Sequence, residues 1–373
     1  MNVIGIIAEY NPLHNGHIHH IQECKKLYPN SILILVLNGY FMQRGELSIV
    51  SKEDKTSLAL DYGIDIVLEL PFVFGTQSAD IFASKSIEIL NHFKVDTVIF
   101  GSESNDIDLI NKIADIQLND TNYNMRVKEY LDKGLNYPTA MSKALEIDNE
   151  INNPNDLLGI SYVKAIKQLK SSMVPCTIQR TNDYHDTIST SSVVSASNIR
   201  TRLLNGEDIS NYVPPFVKNK INTISETKMV DFIKYKITTD HDLNLYLSVD
   251  EGIEYRLKKY INKSKTIDEL ISFAKTKRYT HNKIRRMLIH ILVGLTKDDI
   301  KNIKLDYIKI LGFNKYGKQY LNKIKKNMKI KTNIVTSSLQ YKYENKSAII
   351  YSMFSSQNIL DFENKNIPIK KYD

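Results

Sequence analysis

What most constrains this chain is the alternation, in its first hundred residues, of short β-branched apolar runs with segments of helical period. That alternation marks a parallel sheet with crossover helices, because strands covered on both faces read as apolar runs. The candidate strands are Val3 to Ala8, Ser31 to Leu37, Asp65 to Leu70 and Asp96 to Phe100. Helices are predicted near Gly16 to Leu27, Lys52 to Tyr62 and Gln77 to Phe93. Crossovers of this kind are right-handed, so ligands gather at the carboxyl ends of the strands. Each end carries a polar cluster: Glu9-Tyr10-Asn11-Pro12, Asn38-Gly39, Glu69-Leu70-Pro71 and Gly101-Ser102-Glu103.

Residues 105–170 read as mostly helical, Val174 to Arg180 as a further strand, and Ser195 onward as a helix with a serine-rich start. From Pro214 and Pro215 the pattern is chiefly helical, with only short extended runs such as Lys331 to Thr336. A length of 373 residues exceeds a typical domain of roughly 100 to 200. The fold class expected is α/β: a Rossmann-like domain with a parallel sheet over residues 1–210, followed by a mainly α-helical, basic domain over 211–373.

The net charge of +8 is modest, but its distribution is not. Residues 251–350 hold 24 Lys and Arg against 8 Asp and Glu, whereas the first 250 hold 23 against 31. Concentrated positive charge attracts phosphate backbones, so the later segment points to RNA or another polyanion. Two separated cysteines, Cys24 and Cys176, suggest neither a disulfide framework nor a structural zinc site, and no tightly bound protein metal is expected. No apolar run approaches the roughly 18 to 20 residues of a membrane span, and the first residues lack the basic leader of a signal peptide. A cytoplasmic protein without a membrane partner is expected, and no obligate protein partner is evident.

Two segments carry the chemistry. His14-Asn15-Gly16-His17 follows a strand and opens a helix, where backbone N–H groups and the macrodipole favour an anion. Gly16 lets a phosphate approach the backbone, and His14 and His17 can donate hydrogen bonds as charge develops on it. Ser195, Ser197 and Arg200, at a second helix start, form an ordinary serine cap or a second anion cradle.

These segments resemble the HIGH and ISSTxIR-type signatures of the nucleotidyltransferase superfamily. Together with GIIAEYNPLHNGH, NGYFMQRGE, VLELPF, FGSE, PNDLLGISYVKAI and AKTKRYTHNKIRRML, they are similar to the tRNA(Met) cytidine acetate ligase family over nearly the whole chain. Leu13, Tyr40, Met42 and Asn198-Ile199 depart from the usual family pattern without removing a charged or donor group. The resemblance implies that ATP and acetate give acetyl-adenylate, whose acetyl group passes to the wobble cytidine of elongator tRNA(Met) as N4-acetylcytidine. It implies a nucleotidyltransferase-type first domain and a tRNA-binding second domain. It places ATP on Ile7, Ala8, Glu9, Tyr10, Asn11, Pro12, Leu13, His14, Asn15, Gly16, His17, Ile18, His19 and His20, with Gly101, Asn155 and Arg180; Ser195, Ser197 and Arg200 fit the same role. His14 and His17 would be catalytic, with Mg²⁺ accompanying ATP.

Lys275, Lys277, Arg278, Tyr279, Lys283, Arg285 and Arg286 form the densest basic and aromatic segment, read as phosphate contacts with Tyr279 available to stack. Gln43-Arg44-Gly45-Glu46 could bind acetate or the cytidine through Arg44, or Arg44 and Glu46 pair with each other. Tyr184-His185-Asp186 could accept the cytidine proton. Two other readings differ in kind: a small-molecule nucleotidyltransferase needs no basic RNA surface, and an RNA-binding module without turnover does not need His14, His17 and Arg180.

Overall fold

The structure is a computed structural model that describes residues 2–135, 137–146, 153–180 and 193–372. Five parallel strands form its centre: β1 (Val3–Ala8), β2 (Ile32–Asn38), β3 (Ile66–Leu70), β4 (Thr97–Ser102) and β5 (Val174–Gln179). Each starts within two residues of its predicted position. Successive β2 residues serve opposite faces: Ile32, Ile34 and Val36 enter one apolar cluster, and Leu33, Leu35 and Leu37 the other. Burial on both faces is why this strand reads as an unbroken apolar run rather than an alternating one.

The sheet order is β5-β4-β1-β2-β3-β6-β7. The chain runs outward from β1 through β2 to β3, then returns to place β4 on the other side of β1. That reversal opens a crevice beyond the carboxyl ends of β1 and β4, the place where such sheets take ligands. Side chains hold the register: Asp96 accepts from the Val3 N–H at 2.8 Å, and Asp65 accepts from the Leu33 N–H at 2.8 Å.

Two strands come from beyond residue 210. β6 (Ile310–Asn314) pairs antiparallel with β3, and β7 (Ile369–Lys371) pairs parallel with β6. Asn314 donates to the Asp65 carboxylate at 2.7 Å, fastening β6 to the start of β3. The extended run expected at Lys331 to Thr336 contributes only an isolated bridge between Lys331 and Tyr307. The larger apolar cluster continues from the sheet into the later helices, through Ile284, Met287, Leu288 and Ile291 of the His281–Val293 helix. One face of the sheet is therefore the floor on which the basic part of the chain sits.

Candidate active site

The loop after β1 is held in one shape by buried polar contacts. Tyr10 adopts φ of 46°, the Asn11–Pro12 peptide is cis, and the Asn11 side chain accepts from the Ile49 N–H at 2.8 Å. The Glu9 carboxylate accepts from the Gln43 N–H at 2.6 Å and from Asn38 Nδ2 at 3.0 Å. Beneath it, the fully buried Lys55 donates to the carbonyls of Glu9, Asn38 and Gly39 at 3.1, 2.7 and 2.6 Å. One ammonium thus ties together the carboxyl ends of β1 and β2, and burial pushes its pKa down to about 7.

His14 is the N-cap of the Asn15–Leu27 helix. Its Nδ1 accepts from the Gly16 N–H at 3.1 Å, and its own N–H donates to His17 Nδ1 at 3.3 Å. Both Nδ1 atoms are therefore acceptors, so each neutral ring carries its proton on Nε2. Burial, then Arg180 and Arg200, hold His14 down to about 3; burial, His14, Arg180 and His20 hold His17 well below the usual range. The rings stack with centroids 3.8 Å apart, and the Tyr10 ring lies 4.7 Å from His17. The capping box therefore presents two oriented N–H donors at a helix N-terminus, which suits an anion whose charge grows during reaction. A Cβ on Gly16 would lie 2.9 Å from His14 Cε1, so a side chain here would disturb the cap that sets this tautomer.

At the end of β4, Asp156 is fully buried and accepts from the Ser102 hydroxyl, from the Glu103 N–H at 3.2 Å and from the Ser104 N–H at 3.0 Å. Glu103 in turn accepts from Asn155 Nδ2 at 2.5 Å and stands 3.8 Å from Arg180 Nε. A Cβ on Gly101 would lie 3.3 Å from Arg180 Cγ, so the missing side chain makes room for the arginine stem as well as for a ligand. Glu103 and Asp156 organise both predicted contacts. Their pairing was invisible in sequence, because 53 residues separate them.

The helix expected from Ser195 onward forms. Ser195 caps the Ala196–Leu204 helix, accepting from the Asn198 N–H at 3.2 Å, with Ser197 Oγ 3.0 Å away. Arg200 serves protein contacts as well as the cavity wall: Nη1 donates to the Asn11 carbonyl at 2.8 Å and Nη2 meets Glu46 at 2.5 Å. Glu46 therefore answers Arg200, from 154 residues away, clamping the Gln43–Glu46 loop to the β1 loop.

These pieces surround one cavity of about 810 Å³, within the usual range for a small-molecule site. Most residues expected at ATP line it, among them Ile7, Ala8, Glu9, Tyr10, Asn11, His14, Gly16, His17, His19, His20, Gly101, Asn155, Arg180, Ser195, Ser197 and Arg200. Pro12, Leu13, Asn15 and Ile18 do not. Leu13 is in the core, Ile18 packs on it, and Asn15 Nδ2 donates to the Asn211 carbonyl at 3.0 Å. The far wall comes from the basic part: Arg278, Thr280, Asn282, Lys283 and Arg286.

The basic cluster divides by environment. Lys275, Lys277 and Arg278 are exposed in the loop before the His281–Val293 helix. Tyr279 is only 3% exposed, and its hydroxyl donates to the Asp250 carbonyl at 2.6 Å. It therefore does not stand ready to stack on a base. Its ring instead lies under Lys283, with Nζ 4.3 Å from the centroid. Arg285 is bonded to Asp268, and Arg286 turns to the cavity and the Gln43 carbonyl. A second cavity of about 410 Å³ is lined by Lys133, Lys275, Lys277 and His281, and Thr280 lines both cavities. Tyr184, His185 and Asp186 lie outside the described residues. Among the described residues no group of three or more potential metal-ligating side chains occurs, and no helix is long and apolar enough to cross a membrane.

A model of the HIGH Nucleotidyl Transferase family matches residues 1–368. Over 378 residues the chain is 36% identical to a tRNA(Met) cytidine acetate ligase from Geobacillus sp. (strain WCH70), covering 94% of each chain. The chain belongs to the tRNA(Met) cytidine acetate ligase family. A family member from Clostridium perfringens (strain ATCC 13124) is 35% identical over 395 residues, covering 99% of this chain and 97% of its own. Among solved structures, Thermotoga maritima TmcAL bound with alpha-thio ATP superposes with a TM-score of 0.88 at 25% identity, over all of both chains. Its apo form gives 0.90 at 27% identity, also over all of both chains. The family's sheet, crevice and later helices are thus all present in this chain.

Proposed function

We propose that this chain is an ATP-dependent ligase that activates acetate as acetyl-adenylate and acetylates the wobble cytidine of elongator tRNA(Met) to N4-acetylcytidine. The observation that carries the reading is a single cavity bounded on one side by two neutral, oriented histidine donors and on the other by the basic helix start. ATP lies with adenosine near Gly101 and Asn155 and its phosphates toward Arg180, the His14 and His17 Nε2–H groups and the Ser195 helix start. A carboxylate oxygen of acetate attacks the α-phosphorus in line, an O–P bond forms, and the bond to the bridging oxygen breaks as pyrophosphate leaves. His14 and His17 follow the developing negative charge without transferring a proton, so catalysis is positioning and charge stabilisation. The cytidine amine then attacks the acetyl carbon of the mixed anhydride, AMP departs, and the amine loses its proton.

Mg²⁺ arrives with ATP as part of the substrate, since the nucleotide phosphates are its natural oxygen ligands. Division of labour follows the chain in its main lines: residues 1–210 hold the nucleotide, and residues 211–373 present RNA through exposed Lys275, Lys277 and Arg278 while also closing the cavity with Lys283 and Arg286. The protein acts in the cytoplasm, where its tRNA is found. The test is to incubate the protein with ATP, labelled acetate and unmodified tRNA, then digest the RNA to nucleosides. Labelled acetylcytidine is expected. Label retained in a soluble coenzyme precursor, or no ATP-dependent product, refutes the proposal.

A further inference from the structure

The cations around the main cavity are unequally answered. Arg180 has Glu103 at 3.8 Å, Arg200 has Glu46 at 2.5 Å, and Arg278 has Glu251 at 3.5 Å. Among the described residues, Arg286 has no carboxylate within ion-pair distance, and its guanidinium makes one hydrogen bond, from Nη1 to the Gln43 carbonyl at 3.4 Å. A largely buried guanidinium with one long bond to a neutral acceptor is a poorly compensated charge.

Its neighbour makes this sharper. Arg44 lines the same cavity, and burial together with Arg44 holds the Arg286 guanidinium down to about 10. Gly45 produces the juxtaposition. Its φ is +82°, and a Cβ there would lie 2.7 Å from Arg286 N and 2.8 Å from the Arg285 carbonyl carbon. Loop backbone thus rests on helix backbone, and Arg44 and Arg286, each next to that contact, both line the cavity. Like charges placed together at a polar cavity are stabilised by an anion between them.

We propose that Arg44 and Arg286 form the subsite for the carboxylate of the short-chain acid that attacks ATP. This rests on the ligase reading above. A planar guanidinium matches a carboxylate with paired N–H donors, where a lysine would offer a point charge. The task also requires cations, because the acid must approach a triphosphate and two anions repel strongly away from bulk water. Arg286 is recessed in the cavity, whereas Lys275, Lys277 and Arg278 are exposed, so a small acid reaches it and an RNA backbone keeps to the exposed set. Arg286 accordingly belongs to the acyl pocket rather than to the RNA surface.

The test is acetate-dependent ATP–pyrophosphate exchange without RNA, comparing wild type with Arg286→Gln, Arg286→Lys and Arg44→Gln. Loss of one charged hydrogen-bonding partner is expected to raise the KM for acetate roughly 10- to 100-fold. The KM for ATP and the melting temperature stay at wild-type values, and Arg286→Lys recovers part of the loss. If Arg286→Gln fails to fold, Arg44→Gln, on the loop, reads the same subsite. An unchanged acetate KM overturns the proposal, and a raised KM for tRNA in its place identifies a phosphate contact instead. Absence of acetate-dependent exchange in the wild type refutes the ligase reading itself, a result separate from either variant outcome.

Discussion

Replacing Gly45 by alanine tests the joint between the loop and the basic helix. At φ of +82° a side chain costs about 1–2 kcal/mol through its clash with its own backbone. The new Cβ would also meet Arg286 N at 2.7 Å and the Arg285 carbonyl carbon at 2.8 Å. Those atoms belong to a helix backbone packed on the core and cannot swing aside as a side-chain tip can. Overpacking of this kind costs about 1–3 kcal/mol, so Gly45→Ala should lose about 2–5 kcal/mol in all. Gly206→Ala supplies the control, because Gly206 has φ of +75° with no atom within 4 Å of its built Cβ. That variant should lose only the conformational part, about 1–2 kcal/mol. Urea unfolding of both variants, with equal m-values, measures the difference as a shift in midpoint. Pyrophosphate exchange should show a raised acetate KM in Gly45→Ala alone, since the clash moves the helix that carries Arg286. Equal destabilisation of the two variants, with wild-type acetate KM in both, would refute the loop-on-helix contact and the reasoning built on it.

Replacing His14 or His17 by alanine should lower adenylate formation roughly 10²- to 10³-fold, the usual loss for one oriented donor, while a filter-binding assay shows tRNA affinity nearly intact. Neutralising Lys275, Lys277 and Arg278 together should do the reverse, weakening tRNA binding and reducing the slope of log affinity against log salt by roughly 2; a fall in adenylate formation instead would contradict the division of labour. Acid stability follows from the buried histidines. His14 is held down to about 3 and His20 and His290 to about 4, against the ordinary 6.5 of a histidine in the unfolded chain. Below that value the unfolded chain binds protons that the folded chain refuses. Their cost to stability is therefore absent above pH 6.5 and grows as pH falls toward the folded values, by up to about 1.4 kcal/mol per pH unit for each such group. Urea midpoints at pH 7, 6 and 5 measure it, and midpoints independent of pH over that range would contradict the burial of these rings.

Much of the fold was legible because its signals are local. The apolar runs of β1 to β4 and the periodic segments between them identify a parallel sheet, and strand order then locates the crevice. β6 escaped notice because Ile310–Asn314 sits amid lysine-rich helical sequence, and its pairing with β3 depends on Asp65 and Asn314, 249 residues apart. β7, three residues long, has no period to detect. The Arg44–Glu46 pairing left open by adjacency is settled for Glu46 by Arg200, which only folding brings near. Tyr279 looked suited to stacking because aromatic residues beside lysines often are, but composition does not report burial.

The sequence by itself determined the fold class, the helix starts at His14 and Ser195, and the concentration of positive charge late in the chain. Each depends on residues within one turn or one strand of each other, where spacing alone sets which groups meet. Only the tertiary structure decided which charges are answered: Arg200 by Glu46, Arg285 by Asp268, and Arg286 by no carboxylate among the described residues. Ion pairs form over a few ångströms in space and any distance along the chain, so one basic cluster in sequence became in the fold an exposed loop, a buried tyrosine's cover and one arginine turned inward to the main cavity.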